Sequence, residues 1–190
     1  MDYKDWIPIL EGEMHIEYDK APKEKHSSAH QLDHIERVWK RAEKLGRRLG
    51  ADMEILVAAV YLHDIGRQYG LELHGPESAK HAKDALERMA FPEEKRGAVL
   101  EAIAKHDYQT PDSERKSPEA KILYDCDKMD AFGDAGIKRY EEFYLRPGKK
   151  TMREIIENID LRFDTLALPE SKELAKADYL KVRGHFEALL

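Results

Sequence analysis

The sequence predicts an all-α fold, a compact single-domain helical bundle. Apolar residues recur at intervals of three and four along most of the chain, which is the helical period. Helix start signals precede several of these segments, and no segment shows the alternation of apolar and polar residues that is typical of strands. The chain has 190 residues, enough for one domain with a sizeable core. We therefore expect a single domain over residues 1–190.

Capping residues and helix breakers delimit the first helices. A helix is predicted to begin at Ser28, since Ser28 and Gln31 fit a capping box. A second helix is predicted from an Asp52 N-cap to about Asp64, and it is apolar nearly all round. Such a helix lies at the centre of a protein, so we expect it to be buried. Before these two helices, the polar N-terminal segment predicts only one short helix near Trp6.

Polar segments, capping residues and prolines also predict the loops and helices of the remainder of the chain. We expect a loop over residues 66–75 and an exposed polar loop over residues 107–117. Thr151 and Glu154 form a second capping box, which predicts a helix in the C-terminal segment 150–190. Further helices are predicted after Pro76, Pro92 and Pro118, from about 135 to 145, and on either side of Pro169.

Charge and composition exclude several classes of protein. The net charge is −6 with dispersed lysines and arginines, which argues against a nucleic-acid duplex as partner. The single cysteine, Cys126, excludes an internal disulfide and favours a reducing compartment. No apolar run approaches the length of a membrane span, and the N-terminus lacks the apolar region of a signal peptide. The sequence therefore predicts a cytoplasmic protein without a membrane partner.

A His-Asp pair closes the most apolar helix of the chain. His63 and Asp64 follow directly on the run from Ile55 to Leu62. Burying two ionisable groups there is costly unless they are paired or bind a metal. His34 lies beside the apolar stripe of the preceding helix, and Asp127 lies one turn after an apolar residue of a later helix. Histidine and carboxylate are suitable ligands for a divalent transition metal, so three helices are predicted to converge on one ion.

These residues carry a resemblance to a known family. The order of His34, the pair His63-Asp64 and then Asp127 resembles the pattern of the HD superfamily of metal-dependent phosphohydrolases. The segment from Ala59 to Gly66 is similar to the central motif of that superfamily, and the similarity spans about residues 28–135. The resemblance implies an all-α fold, a divalent metal held by the four motif residues, and hydrolysis of a phosphate ester.

The resemblance also implies roles for residues around the four ligands. His74 and His106 occupy positions where related proteins place ligands for a second metal or groups that bind phosphate. Asp64, Lys128 and Arg67 are the expected catalytic residues, with Asp64 orienting the attacking water and the two cations binding phosphate oxygens. One or two ions per chain are expected, and manganese, iron, cobalt, nickel, magnesium and zinc all stay open.

The expected function is hydrolysis of a phosphate ester of a small metabolite, with a nucleotide as the expected substrate class. Both a phosphomonoesterase and a phosphodiesterase fit, and a homodimer stays open. One alternative is a non-catalytic nucleotide or metal sensor, because such a protein needs the same ligands. Another is a helical interaction module in which these residues form a buried salt-bridge network. The sequence does not identify the substrate.

Overall fold

The computed structural model describes the chain over residues 2–20, 30–69, 74–107, 110–146 and 148–190. These residues form nine α-helices and no strand, which confirms the all-α prediction. They divide into two compact units, Met1–Tyr124 and Asp125–Leu190, and the division falls within one helix. The single domain over residues 1–190 stays a prediction.

The first unit consists of five helices and the beginning of a sixth. A 3-10 turn at Tyr3–Trp6 precedes the first helix, and a second 3-10 turn lies at Asp112–Glu114. The helices are α1 (Ile7–Lys20), α2 (His30–Leu49), α3 (Met53–Leu62), α4 (His74–Arg88), α5 (Glu93–Ala104) and α6 (Pro118–Met129).

Helix α1 is longer than the short helix that the sequence predicts. It runs on to Lys20 because its inward face buries acidic residues as well as apolar ones. Glu13 and Glu17 are buried, and both accept hydrogen bonds from the guanidinium of Arg88 in α4. A carboxylate that is paired in this way can be buried. Because the inward face of the helix contains such carboxylates, the polar composition of the segment did not indicate a long packed helix.

Helix α3 forms the centre of the first unit, as predicted. All seven residues from Leu56 to Leu62 are buried. The helix contacts α1, α2, α4 and α5, so no side of it is left to solvent. Its N-cap is Asp52, whose Oδ1 accepts hydrogen bonds from the backbone N–H groups of Glu54 and Ile55, and this confirms the predicted cap.

Replacing Asp52 by asparagine is expected to lower stability at neutral pH but not in acid. Burial raises the pKa of Asp52, but the ion pair with Lys95 at 2.7 Å and the two backbone hydrogen bonds outweigh it and lower the pKa overall. The folded protein therefore keeps this carboxylate charged at a pH where the unfolded chain already binds a proton. Asparagine keeps the cap but loses the charge, and the loss should be about 0.5 kcal/mol, since the pair is partly exposed.

The measurement is the free energy of unfolding of both proteins as a function of pH. The difference should be constant above about pH 4, the usual pKa of an unfolded aspartate. It should shrink as the pH falls further, and vanish below the lowered pKa of Asp52. If the difference in unfolding free energy between the two proteins does not change with pH, the negative charge of Asp52 is not the source of the stabilisation.

The second unit is built around its last three helices, α7 (Gly133–Phe143), α8 (Met152–Asp164) and α9 (Pro169–Glu187). Helix α9 packs against both α7 and α8, around a core that includes Tyr140, Ile159 and Phe186. The Thr151–Glu154 capping box is present as predicted. The Ser28–Gln31 capping box lies outside the described residues. Among the described helices, none is both long enough and apolar enough to cross a membrane.

Candidate metal centre

The buried His-Asp pair lies in the turn that ends α3. His63 is the C-cap of α3, and Asp64 follows it; their exposed fractions are 0% and 3%. The Nδ1 atom of His63 lies 2.7 Å from the backbone carbonyl of Val60. Because a carbonyl only accepts hydrogen bonds, Nδ1 carries the proton in this bond. The neutral ring then presents the lone pair of Nε2, which is the form that binds metals.

His106 has the same arrangement at the end of α5. Its exposed fraction is 1%, and its Nδ1 donates to the backbone carbonyl of Ile103 at 2.6 Å. Helix α5 ends at Ala104, and His106 lies in the turn beyond. That turn directs Nε2 toward Asp64, at 3.8 Å from its Oδ1 atom. Two buried histidines are thus fixed in the metal-binding tautomer by backbone carbonyls.

Asp64 is the common member of two groups of candidate ligands. One group is His34, His63 and Asp64, and the other is Asp64, His74 and His106. The Oδ1 atom of Asp64 lies 3.6 Å from His63 Nε2 and 3.4 Å from His74 Nε2, while Oδ2 lies 3.9 Å from His34 Nε2. Within the groups, His34 and His63 are 3.4 Å apart and His74 and His106 are 3.1 Å apart, between their Nε2 atoms.

These separations fit the spacing of ligands around a metal ion. Two ligand atoms that each lie about 2.1 Å from one ion are about 3.0 to 4.2 Å apart. All the distances just given for the two groups fall within that interval. Imidazole nitrogens and a carboxylate are also the donor set of divalent transition metals. The cluster in the first unit can therefore hold a divalent metal, and its two groups share Asp64.

Two glycines allow the segments that carry these ligands to approach one another. A Cβ atom on Gly66 would lie 2.3 Å from the backbone nitrogen of Ser78, and the Gly66 N–H donates to the Ser78 hydroxyl at 3.0 Å. A Cβ atom on Gly75 would lie 2.9 Å from the Ala104 carbonyl oxygen. Without these side chains, the turn after α3, the start of α4 and the end of α5 come together.

The start of α4 differs from the prediction. The sequence predicted a loop over residues 66–75 with His74 in it, but His74 is the first residue of α4. The close approach at Gly75 explains the difference, since the helix begins in contact with the end of α5 rather than in solvent. His74 is consequently held beside His106, and its side chain is 12% exposed.

Arg67 lies at the exposed edge of the cluster. Its Nη1 donates to Asp64 Oδ2 at 2.8 Å, and its side chain is 45% exposed. The guanidinium thus orients the shared carboxylate while part of it faces solvent. This position suits the predicted role in phosphate binding, which stays a prediction.

The second unit carries the other predicted site residues, and there three aspartates of one segment differ in their surroundings. Asp125 is buried and accepts hydrogen bonds from the backbone N–H groups of Ala167 and Leu168. Asp130 is buried and accepts from Arg139 at 2.6 Å. Asp127 is half-buried, and its role as a metal ligand stays a prediction.

Lys128 also lies in the second unit. It is 8% exposed, and its ammonium donates to the Thr165 hydroxyl at 2.7 Å. This bond fixes the end of the side chain between α6 and the C-cap of α8. The catalytic role that the sequence predicted for Lys128 stays a prediction.

One buried arginine near the cluster was not foreseen. The loop over residues 107–117 was predicted to be exposed, but Asp107 and Arg115 are buried. Arg115 donates to the backbone carbonyls of Lys105 and Thr110, and its guanidinium lies 3.6 Å from the centre of the Tyr124 ring. It therefore holds the chain directly before His106. No sequence signal distinguishes this arginine from the exposed ones.

Comparisons of sequence give two matches. A family model described as the HD domain matches residues 32–131. The uncharacterized protein YpgQ of Bacillus subtilis is 28% identical over 120 residues, which are 60% of this chain and 56% of YpgQ. The matched part of the chain thus spans somewhat more than half of the length of that relative.

Comparisons of structure agree with these matches. An HD-superfamily hydrolase from Bacillus thuringiensis is 25% identical with a TM-score of 0.69, covering 95% of this chain and 94% of that one. A predicted HD superfamily hydrolase from an uncultured Thermotogales bacterium is 22% identical with a TM-score of 0.68, covering 100% and 97%. YpgQ in complex with ADP is 21% identical with a TM-score of 0.66, covering 93% and 95%.

The four residues that motivated the sequence prediction lie inside the matched range, from His34 to Asp127. That range is more than half of the chain, and the all-α fold agrees with the structural neighbours. The chain therefore belongs to the HD domain family.

Proposed function

We propose that the protein is a metal-dependent phosphohydrolase that acts on a small phosphorylated metabolite, with a nucleotide as the substrate class. The observation that carries the proposal is the position of Asp64. One buried carboxylate lies within ligand distance of two histidine pairs, in an arrangement for one or two divalent ions. The structural neighbour YpgQ binds ADP, and this supports the choice of a nucleotide.

The chemistry follows from the donor set. A bound divalent ion lowers the pKa of a coordinated water and polarises a phosphoryl oxygen. Asp64, which lies beside both histidine pairs, would orient such a water and would accept its proton. The resemblance assigns Asp127 as a further ligand.

Several residues of the chain are proposed to bind the phosphoryl group. His74 and His106 either hold a second ion or contact phosphate oxygens directly, and His106 would need a second ring proton, on Nε2, to donate to them. Arg67 has a half-exposed guanidinium beside Asp64, so it can contact an entering anion without losing its ion pair. Lys128 is proposed as a second cation for the same group.

The test is a panel of phosphomonoesters, phosphodiesters and nucleoside diphosphates and triphosphates, each assayed with manganese, magnesium, cobalt, nickel and iron. We expect turnover of at least one class, which a chelator abolishes and which His63→Ala lacks. His15→Ala is the matched control, because His15 is an exposed histidine of the same unit. No turnover with any pairing, together with measurable nucleotide binding, would contradict the proposal in favour of a non-catalytic sensor.

A further inference from the structure

Tyr18 carries a buried polar group without a hydrogen-bond partner. It lies in the last turns of α1, and its phenolic oxygen has almost no accessible surface and no partner among the residues that the structure describes. Tyrosine hydroxyls that are buried normally find a partner, because leaving a donor unpaired away from water costs free energy. The absence of a partner among the described residues points to a group that binds from outside the chain.

The segment that carries Tyr18 is bonded to the turn that carries two residues of the metal centre. The side-chain amide of Gln68 donates to the backbone carbonyl of Glu17 at 2.9 Å, in a buried position. This bond attaches the end of α1 to the turn that carries Asp64 and Arg67. Burial raises the pKa of Tyr18, the carboxylate of Asp64 raises it further, and the guanidinium of Arg67 lowers it. The hydroxyl is therefore within electrostatic range of both charged groups.

We propose that Tyr18 donates a hydrogen bond from its hydroxyl to a phosphoryl oxygen of the substrate bound at the Asp64 centre. The phenol is protonated at neutral pH, so it is a donor and needs an acceptor. Asp64 Oδ2 already accepts from Arg67 at 2.8 Å. A phosphoryl group brings several anionic acceptor oxygens to this side of Asp64. The identity of the ligand as a phosphoryl group rests on the proposed function.

The test compares the wild-type chain of 190 residues with Tyr18→Phe, both loaded with manganese and freed of excess ion. The probe is inorganic phosphate, and its dissociation constant is measured by calorimetry. We expect phosphate to bind about ten-fold or more weakly to the variant, since a hydrogen bond to a charged group is lost. The melting temperature of the variant without phosphate should be equal to or higher than that of the wild type, because the hydroxyl has no partner to lose among the described residues.

Tyr140→Phe is the matched control. Tyr140 is a buried tyrosine whose hydroxyl donates to Asn158 at 2.9 Å within the second unit. This variant should show the opposite pattern, with a lower melting temperature and an unchanged dissociation constant for phosphate. The two substitutions remove the same atom, so the contrast separates a ligand-binding hydroxyl from a structural one.

Equal affinity of Tyr18→Phe and the wild type for phosphate overturns the inference. That result is expected if the hydroxyl binds a structural water instead of the phosphoryl group. A melting temperature that falls as far as in Tyr140→Phe overturns it too. Two results distinguish a failure of this inference from a failure of the proposed function. Phosphate binding that depends on Tyr18 but comes without turnover of any phosphoester refutes only the proposed function. Turnover by a wild type that does not bind phosphate refutes only the role of Tyr18.

Discussion

Asp64→Asn is expected to abolish hydrolysis and to weaken metal binding by about 100-fold or more, since even groups that only support a ligand change metal affinity by 10- to 100-fold. Asp64 is the shared member of both ligand groups, and it is the acidic member of each. The amide has nearly the same shape but no charge, so the carboxylate that the two ligand groups share would be lost. It also cannot accept the proton of a water molecule. Metal content after dialysis and the initial rate with the best substrate measure the two effects.

Asp84→Asn is the control for the loss of one negative charge. Asp84 is an exposed residue of α4 in the same unit. This variant should retain metal and activity. The fold of Asp64→Asn should also survive, as judged by its helical circular dichroism. If Asp64→Asn retains metal and most of the activity, Asp64 is neither an essential metal ligand nor an essential proton acceptor.

Gly66→Ala is expected to destabilise the first unit strongly. The new Cβ atom would lie 2.3 Å from the Ser78 backbone nitrogen and 2.6 Å from the Glu77 carbonyl carbon. These are backbone atoms, so no side-chain rotation relieves the overlap. Overpacking of this kind costs about 3 kcal/mol. Since the turn carries His63 and Asp64, the shift that relieves it should also reduce metal affinity.

Gly97→Ala provides the comparison for the same chemical change. Gly97 is an exposed residue in α5, and a Cβ atom there would meet nothing within 4 Å. Because alanine is the better helix former, this variant should be more stable by roughly 0.5 to 1 kcal/mol. Urea unfolding of both variants measures the two changes. Equal stabilities of Gly66→Ala and the wild type would contradict the close packing of the turn against α4.

The helices of this protein could be predicted where local chemistry decides their limits. The Asp52 cap and the Thr151–Glu154 capping box mark helix starts that the structure confirms. The all-round apolar run from Leu56 to Leu62 correctly indicated a central helix, because only full burial accommodates such a segment. The pair His63-Asp64 stood out for the same reason, as charged groups next to the most buried element.

Residues whose environment depends on contacts distant in sequence could not be predicted. Arg115 and Tyr18 lie in polar segments, and nothing in the local sequence distinguishes a buried arginine or tyrosine from an exposed one. The start of α4 at His74 depends on the close approach of Gly75 to the end of α5, which is a tertiary contact. The length of α1 depends on the ion pairs that Arg88 forms with Glu13 and Glu17.

The central claim is that the histidine and aspartate cluster around Asp64 holds a divalent metal. Elemental analysis of the purified 190-residue chain, after supplementation with manganese and dialysis, tests it most directly. We expect one or two equivalents of metal per chain in the wild type and a large loss in His63→Ala, with His15→Ala unchanged. A wild type that retains no more metal than His63→Ala would contradict the claim and would favour a buried salt-bridge network instead.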